Sequence, residues 1–229
     1  MIIYGVHSVL SFIKHRPELI RKVYVSENFN LEKIKYSTIK LFKTTSKEIS
    51  LLSKSNEHQG ICAELQYFPY TEVEFEKTET VCILDHIEDP RNLGAIMRNA
   101  LAYNVDVIII PKERACEITP ATIKASAGAA AILSVMKVGN INHTIQELKN
   151  SSFWVYGFEA NGNTKLSDVK FDRKAVLVLG SEGKGLSSLT RKNCDFVVSI
   201  EMNEKASSLN VSSSSAIVFY QRYIQGIGK

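Results

Sequence analysis

Two runs of this chain, Val105-Asp106-Val107-Ile108-Ile109-Ile110 and Ala175-Val176-Leu177-Val178-Leu179, are apolar almost without interruption. A half-exposed strand alternates apolar and polar residues. A continuous β-branched or leucine run needs cover on both faces, as inside a parallel sheet. From Val81 onward the pattern alternates. Strands are expected at 81–86, 105–110, 132–138, 153–159, 175–180 and 196–201, and helices at 92–103, 120–130, 142–150, 186–193 and 208–224. Strands alternating with helices imply an α/β fold with a parallel sheet. Thr119-Pro120 reads as a cap followed by proline at the first helical position. Asn104 suits the left-handed position that ends a helix.

The residues before this alternation read as a separate small α/β unit over 1–66. Val6 to Ile13 has helical spacing, Lys22-Val23-Tyr24-Val25 is a short strand, Leu31 to Lys40 a helix and Ile61 to Leu65 a closing strand. A stretch with alternating acids and one proline, 67–79, reads as a linker, leaving 80–229 as the larger domain. Residues 1–66 hold 10 Lys/Arg against 6 Asp/Glu, and the remainder 18 against 18. The whole positive excess therefore sits in front, as expected of a segment that meets phosphate, though a solvated basic face reads the same way.

Composition excludes some classes. No apolar run approaches the roughly 20 residues that span a bilayer. The first residues lack the basic and apolar regions of a signal peptide, so the cytoplasm is expected. Cys62, Cys82, Cys116 and Cys194 are scattered, which argues against structural zinc and a disulfide framework. Cys62 and Cys82 lie in apolar runs and read as core thiols. The five histidines are isolated and lack metal-ligand spacing, so no metal is expected. His86 reads as solvent-facing or supporting rather than catalytic.

Three polar turns end three of the expected strands. They are Asp85 to Gly94, Gly180 to Leu186, and the segment after Ile200 that contains Ser207-Ser208-Leu209-Asn210-Val211-Ser212. Ligands of open α/β sheets bind at the carboxyl ends of strands, so the three turns are expected to form one site. Gly180-Ser181-Glu182-Gly183-Lys184-Gly185 fits neither the Walker A spacing nor the dinucleotide fingerprint. Its glycines do allow a ligand to approach the backbone. Pro90 ends the first strand, and Asn92 is expected to cap the helix that follows. Spacing alone makes Arg98 a surface arginine of that helix and Glu182 a helix-start acid.

Taken together and in order, the turns resemble the three signature motifs of the SpoU/TrmH family of RNA 2′-O-methyltransferases, within the SPOUT superfamily. The first is Asp85 to Ala100, Asp-x-x-x-Asp-Pro-x-Asn-Leu-Gly-Ala-x-x-Arg-x-Ala. The second is Leu179 to Leu186, with Arg191 and Cys194-Asp195 behind it. The third is Ile200-x-Met202 with Ser208-Leu209-Asn210-Val211-Ser212. Tyr4-Gly5-x-His7-x-Val9 and His58-Gln59-Gly60-Ile61 resemble the small L30e-like substrate-binding domain that precedes many of these enzymes. The resemblance implies a trefoil-knotted, mostly parallel sheet with helices on both faces, and a cytoplasmic homodimer. It implies S-adenosylmethionine as cofactor and RNA as partner. A guanosine of 23S rRNA is the nearest match. A tRNA substrate within the same family, or a non-catalytic RNA-binding assembly factor, are the alternatives. By the same resemblance Gly180, Glu182, Gly183, Ile200, Met202, Ser208 and Leu209 would hold the cofactor, and Asn92, Arg98, Glu182 and Asn210 would be catalytic. The family proposal makes Arg98 a base. Arginine normally stays protonated, so phosphate binding is the other role. The chain departs from the family at Glu201, at Asn203 to Ala206, and at Ser213-Ser214-Ser215. None of these removes a proposed catalytic residue.

Overall fold

The computed structural model describes residues 1–34, 39–181, 183, 185–206 and 208–226. In the front part, β1 (Ile2–Tyr4), β2 (Ile20–Ser26), β3 (Leu41–Thr44) and β4 (Ile61–Leu65) form a sheet in the order β1-β4-β2-β3. β4 runs antiparallel to both neighbours and β3 parallel to β2. Helices α1 (Val6–His15) and α2 (Ser46–Ser53) pack on it. Of the helix expected over 31–40, only a 3-10 turn at Leu31–Lys33 forms, with Asn30 as its cap. Positions 35–38 lie outside the described residues. Leu41 onward is strand, because Val23 to Ser26 offer an open edge to Leu41 to Thr44.

The larger part holds β5 (Thr80–Asp85), α3 (Pro90–Ala102), β6 (Val107–Pro111), α4 (Pro120–Ala125), β7 (Ser134–Val138), α5 (Ile141–Asn150) and β8 (Trp154–Phe158). It continues with β9 (Thr164–Lys165), β10 (Ala175–Gly180), α6 (Ser188–Asn193), β11 (Phe196–Ser199) and α7 (Val211–Ile224). Its seven-stranded sheet has the order β7-β6-β5-β10-β8-β11-β9, and every pair is parallel. All residues of β5, β6 and β10 are buried, as their continuous apolar character demands. Alternate side chains enter two layers. Leu84, Ile108 and Leu177 meet Leu93, Ile96 and Phe219 of α3 and α7, while Ile83, Ile109 and Val178 meet Ile145 and Leu148 of α5. Helices thus cover both faces.

Several boundaries move for local reasons. Helix α3 begins two residues before the expected point. Its cap is Asp89, whose side chain accepts from Arg91 N at 2.8 Å with Pro90 in the first turn, and not Asn92. Asp89 wins because proline at the first helical position places the cap immediately before it. Helix α4 stops at Ala125 rather than near 130. Ala127 turns left-handed (φ 50°), and Ala129–Ala131 continue as a 3-10 turn before β7. Asn104 takes the left-handed conformation expected of it (φ 53°).

The front sheet and the larger sheet share one apolar core. Ser8 Oγ donates to Ile123 O at 3.0 Å and Ser11 Oγ to Gly128 O at 2.8 Å. The segment 67–79 lies against the body. Phe68 is buried, Ile118 N donates to the Tyr70 hydroxyl at 3.3 Å, and Thr71 N donates to Val135 O at 2.9 Å.

Strand β11 lies between β8 and β9, although those two precede it in the chain. The loop joining them passes close over it. Glu159 N donates to Val198 O at 3.1 Å, and Ser199 Oγ donates to Gly162 O at 3.3 Å. A Cβ on Gly162 would lie 2.3 Å from the Val198 carbonyl carbon, so only glycine permits this crossing. From β11 the chain returns to α7, which packs on α3 and β10.

Candidate active site

The connections reverse direction between β5 and β10, which are neighbours in the sheet. A crevice opens there at the strand ends, the general ligand position of such sheets. Three turns meet in it. Asp85, 1% exposed at the end of β5, accepts from Ser187 N at 2.8 Å and from His86 Nδ1. One carboxylate therefore ties the first turn to the second. Asn210 Nδ2 donates to Asn92 Oδ1 at 3.1 Å and ties the third turn to the first.

The turn after β10 folds back on itself. Ser181 N donates to Gly185 O at 3.1 Å, and Gly185 N returns a bond to Ser181 O at 3.0 Å. Gly180 lies beneath this bridge. A Cβ there would stand 2.2 Å from the Gly185 carbonyl carbon, so a larger residue would lift the turn. Gly183 and Gly185 adopt positive φ, which glycine does without steric penalty.

Beside this turn lies a cavity of about 410 Å³ with apolar walls from Phe158, Leu179, Ile200, Met202 and Leu209. Gly180, Gly183, Ser208 and Asn210 border it as well. Of the expected cofactor residues, Gly180, Gly183, Ile200, Met202, Ser208 and Leu209 thus line one cavity. Glu182 lies outside the described residues. Phe158, Glu159 and Ala160 also line it, and sequence reasoning did not select them. Their position at the end of β8, level with the other strand ends, is the signal that could have found them. Arg191 holds Glu159 through a hydrogen bond from Nε to Oε1 at 2.5 Å.

A second hollow of about 460 Å³ adjoins the first and shares Ser181, Gly185 and Val211 with it. Its polar walls are Asp85, His86, Glu88, Asp89, Asn92, Arg114 and Ser187. Asn92 and Asn210 are thus brought together at the junction of the two spaces. Arg98 lines neither. It is exposed on α3 and, among the described residues, has no hydrogen-bond or ion-pair partner. The next residue, Asn99, bonds α7 through Ser212 O and Ser215 Oγ, both at 2.9 Å.

The departures from the family pattern have local roles. Ser215 is fully buried as the partner of Asn99, and Ser214 borders the cavity. Asn203 closes its own turn, its Oδ1 accepting from Lys205 N at 3.0 Å and its carbonyl from Ala206 N at 2.8 Å. Ser167 holds the Glu201 carboxyl below its usual range, chiefly through its hydroxyl and also through its N–H, which donates to the carboxylate at 3.3 Å. Burial pushes the Cys62 thiol up to about 11 and the Cys82 thiol higher still, as expected of core thiols. Among the described residues no three His, Cys, Asp or Glu side chains converge as a metal site.

This arrangement is an α/β sheet with an apolar cavity and an adjoining polar hollow at its switch point. The profile of the SpoU rRNA methylase family matches residues 79–220, and that of the RNA 2′-O ribose methyltransferase substrate-binding domain matches residues 2–71. The chain belongs to the SpoU family of RNA 2′-O-methyltransferases. It is 34% identical to the 23S rRNA (guanosine-2′-O-)-methyltransferase RlmB of Coxiella burnetii, over 96% of this chain and 93% of that one. It is 35% identical to a protein of Staphylococcus haemolyticus named as a candidate TrmH-family tRNA/rRNA methyltransferase, over 97% and 95%. The fold matches the SpoU methyltransferase AviRb of Streptomyces viridochromogenes in complex with the cofactor AdoMet, with a TM-score of 0.85 at 20% identity, over 100% of this chain and 91% of that one.

Proposed function

We propose that this protein methylates the 2′-hydroxyl of a guanosine in 23S rRNA, with S-adenosylmethionine as methyl donor. The observation that carries the reading is the meeting of the three motif turns, with the Asn92–Asn210 pair at the rim of the apolar cavity. The cavity suits the cofactor in kind. Its volume is that of a small-molecule site. Its apolar walls suit the adenine ring and the carbon chain beside the sulfonium, and the Gly180 position admits no side chain. When bound, S-adenosylmethionine supplies an electrophilic methyl group. Gly180, Gly183, Ile200, Met202, Ser208 and Leu209 would hold it, together with Glu182.

The side chains then have distinct tasks. Ser212 N and Ser212 Oγ donate to Asn210 Oδ1 at 2.8 and 2.6 Å. That fixes the Asn210 amide so that its Nδ2 faces Asn92 Oδ1. Asn92 Nδ2 remains as a donor toward a ribose or phosphate oxygen in the polar hollow. Most of the acceleration in such a site comes from holding the hydroxyl in line with the methyl group. Arg98 is assigned to RNA phosphate, since a guanidinium is a poor base and a strong phosphate partner.

The full reading includes a front RNA-binding domain over 1–66 of the L30e-like kind, a joining segment 67–79, and a trefoil-knotted domain over 80–229. The crossing of the β8–β9 loop over β11, followed by the return of α7, supports the knot. A homodimer is supported by α7, whose Ile217, Tyr220 and Ile224 are 39%, 50% and 49% exposed at helical spacing. Tyr103 packs against Tyr220 and Tyr223 beside them. A two-fold contact through such a stripe would bury it on both copies. Ile217→Asp is expected to yield monomer by light scattering where wild type is a dimer. Among the described residues no helix is long and apolar enough to cross a membrane, and we place the protein in the cytoplasm.

The test is transfer of tritiated methyl from S-adenosylmethionine to unmodified 23S rRNA, 16S rRNA and bulk tRNA, with wild type and Arg98→Ala. Label in 23S rRNA that falls in the variant is expected. Label confined to tRNA would overturn the substrate, and no label in any RNA would favour a non-catalytic assembly factor.

A further inference from the structure

A 2′-hydroxyl must lose its proton as it is methylated. Asn92 and Asn210 are amides, Arg98 is a poor base, and Glu182 lies outside the described residues. Among the described residues that line the polar hollow, one side chain has suitable chemistry. His86 stands on its wall, 37% exposed, with the 1%-exposed Asp85 behind it. A carboxylate can only accept, so the imidazole donates Nδ1–H to Asp85 and carries its lone pair on Nε2. Among the described residues Nε2 has no partner. This is the tautomer a buried carboxylate imposes on a histidine base.

The backbone supplies a second, independent sign. His86 sits at φ 62°, a region unfavourable for a residue with a side chain. Such conformations persist where the surroundings enforce them, and they concentrate at functional sites. Here the bond to Asp85 holds the ring at the mouth of the hollow, and Asp85 is itself tied to Ser187 N.

We propose that His86, oriented by Asp85, is a catalytic residue that accepts the proton of the ribose 2′-hydroxyl. This rests on the methyl-transfer reading above. As the oxygen's electron pair forms the new bond to the methyl carbon, the old sulfur–carbon bond breaks with its pair on sulfur, and the proton passes to His86 Nε2. The single positive charge is conserved, moving from the sulfonium to an imidazolium that faces Asp85. Among the described residues the other charged groups facing the hollow are Glu88 and Asp89 in the turn before α3, and Arg114 in the loop after β6. Carboxylates titrate too low to serve well as bases near neutral pH, and an arginine stays protonated. Arg114 is placed to meet a phosphate instead.

The test uses the full-length protein and His86→Asn, since asparagine tolerates positive φ. Single-turnover methylation of 23S rRNA is followed from pH 5.5 to 9, and cofactor affinity by calorimetry. The wild-type rate should rise with pH and then level off. The variant should be slower by about 100-fold, the low end of acid–base contributions, with that rise absent and cofactor affinity within twofold. A variant with wild-type rate and pH profile would overturn the role of His86 alone. Wild type that labels no RNA would overturn the methyl-transfer reading and the proposal with it. Nitrogen-15 NMR of the ligand-free protein gives a readout independent of turnover and of the variant's folding. A His86 ring protonated on Nδ1 is expected, and one protonated on Nε2 would sink the proposal.

Discussion

Asn210 performs two tasks that substitution can separate. Its side chain caps α7 by accepting from Ser212 N at 2.8 Å, and its amide NH₂ donates to the buried Asn92 at 3.1 Å. In Asn210→Ala both are lost. A missing cap costs about 1 kcal/mol, and the orphaned Asn92 oxygen about 1 kcal/mol more. For a chain of this length 1 kcal/mol corresponds to roughly 2–4 °C in Tm, so a fall of about 4–8 °C is expected. Asn210→Asp is the sharper probe. Aspartate caps as well as asparagine, but it can only accept. Asn92 must then turn its NH₂ toward position 210 and withdraw that donor from the substrate. The Asp variant should melt within about 2 °C of wild type, a stability change of about 0.5 kcal/mol or less. It should still transfer methyl more slowly by about 10- to 100-fold, the equivalent of one lost oriented hydrogen bond. Scanning calorimetry and single-turnover transfer to RNA measure the two effects. An Asp variant that keeps both its Tm and its rate would refute the assignment of the Asn92 amide to the substrate.

Four further substitutions test other parts of the molecule. Gly180→Ala would drive a Cβ into the Gly185 backbone, so calorimetry should show cofactor affinity reduced at least about tenfold (≈ 1.4 kcal/mol) in a folded protein. Arg222 is buried, which lowers its guanidinium pKa to about 10, and it bonds Thr80 Oγ1 and the carbonyls of Glu79, Asp172 and Arg173. Arg222→Met leaves those acceptors short and should lower stability by about 3 kcal/mol in urea unfolding. On the front sheet Lys22 lies over the exposed Phe42 ring, which also packs on Tyr24. If this is an RNA platform, Phe42→Ala should weaken RNA binding by about 1–3 kcal/mol. Lys22→Glu should also flatten its salt dependence, while cofactor affinity stays unchanged in both.

What could be read in advance divides along physical lines. The runs Val107 to Ile110 and Ala175 to Leu179 could be assigned from composition, because strands buried on both faces carry their environment in every residue. The three turns could be grouped because strand ends in an α/β sheet share one edge, and their motif pattern supplied candidate roles. Strand β9, only Thr164–Lys165, could not be read. Two residues carry no period, and this strand exists because β11 lies beside it. The cap of α3 was misplaced because Asn92 and Asp89 have equal local claims, and Pro90 decides between them. His86 was set aside for a deeper reason. A histidine with no second histidine at ligating spacing looks idle, and a carboxylate beside it in the chain need not face it in space, as Asp85 does here. Asp85 becomes a buried, orienting carboxylate only once β5 lies under the turn after β10 and Ser187 N closes on it. The chemistry of the pair depends on that burial, which strand pairing creates and which no spacing rule contains. The residues proposed to hold the cofactor come from the motif resemblance, since apolar side chains along the chain do not separate a cavity wall from the core. The proton path depends on which polar groups the fold removes from water, and that is a property of the assembled sheet.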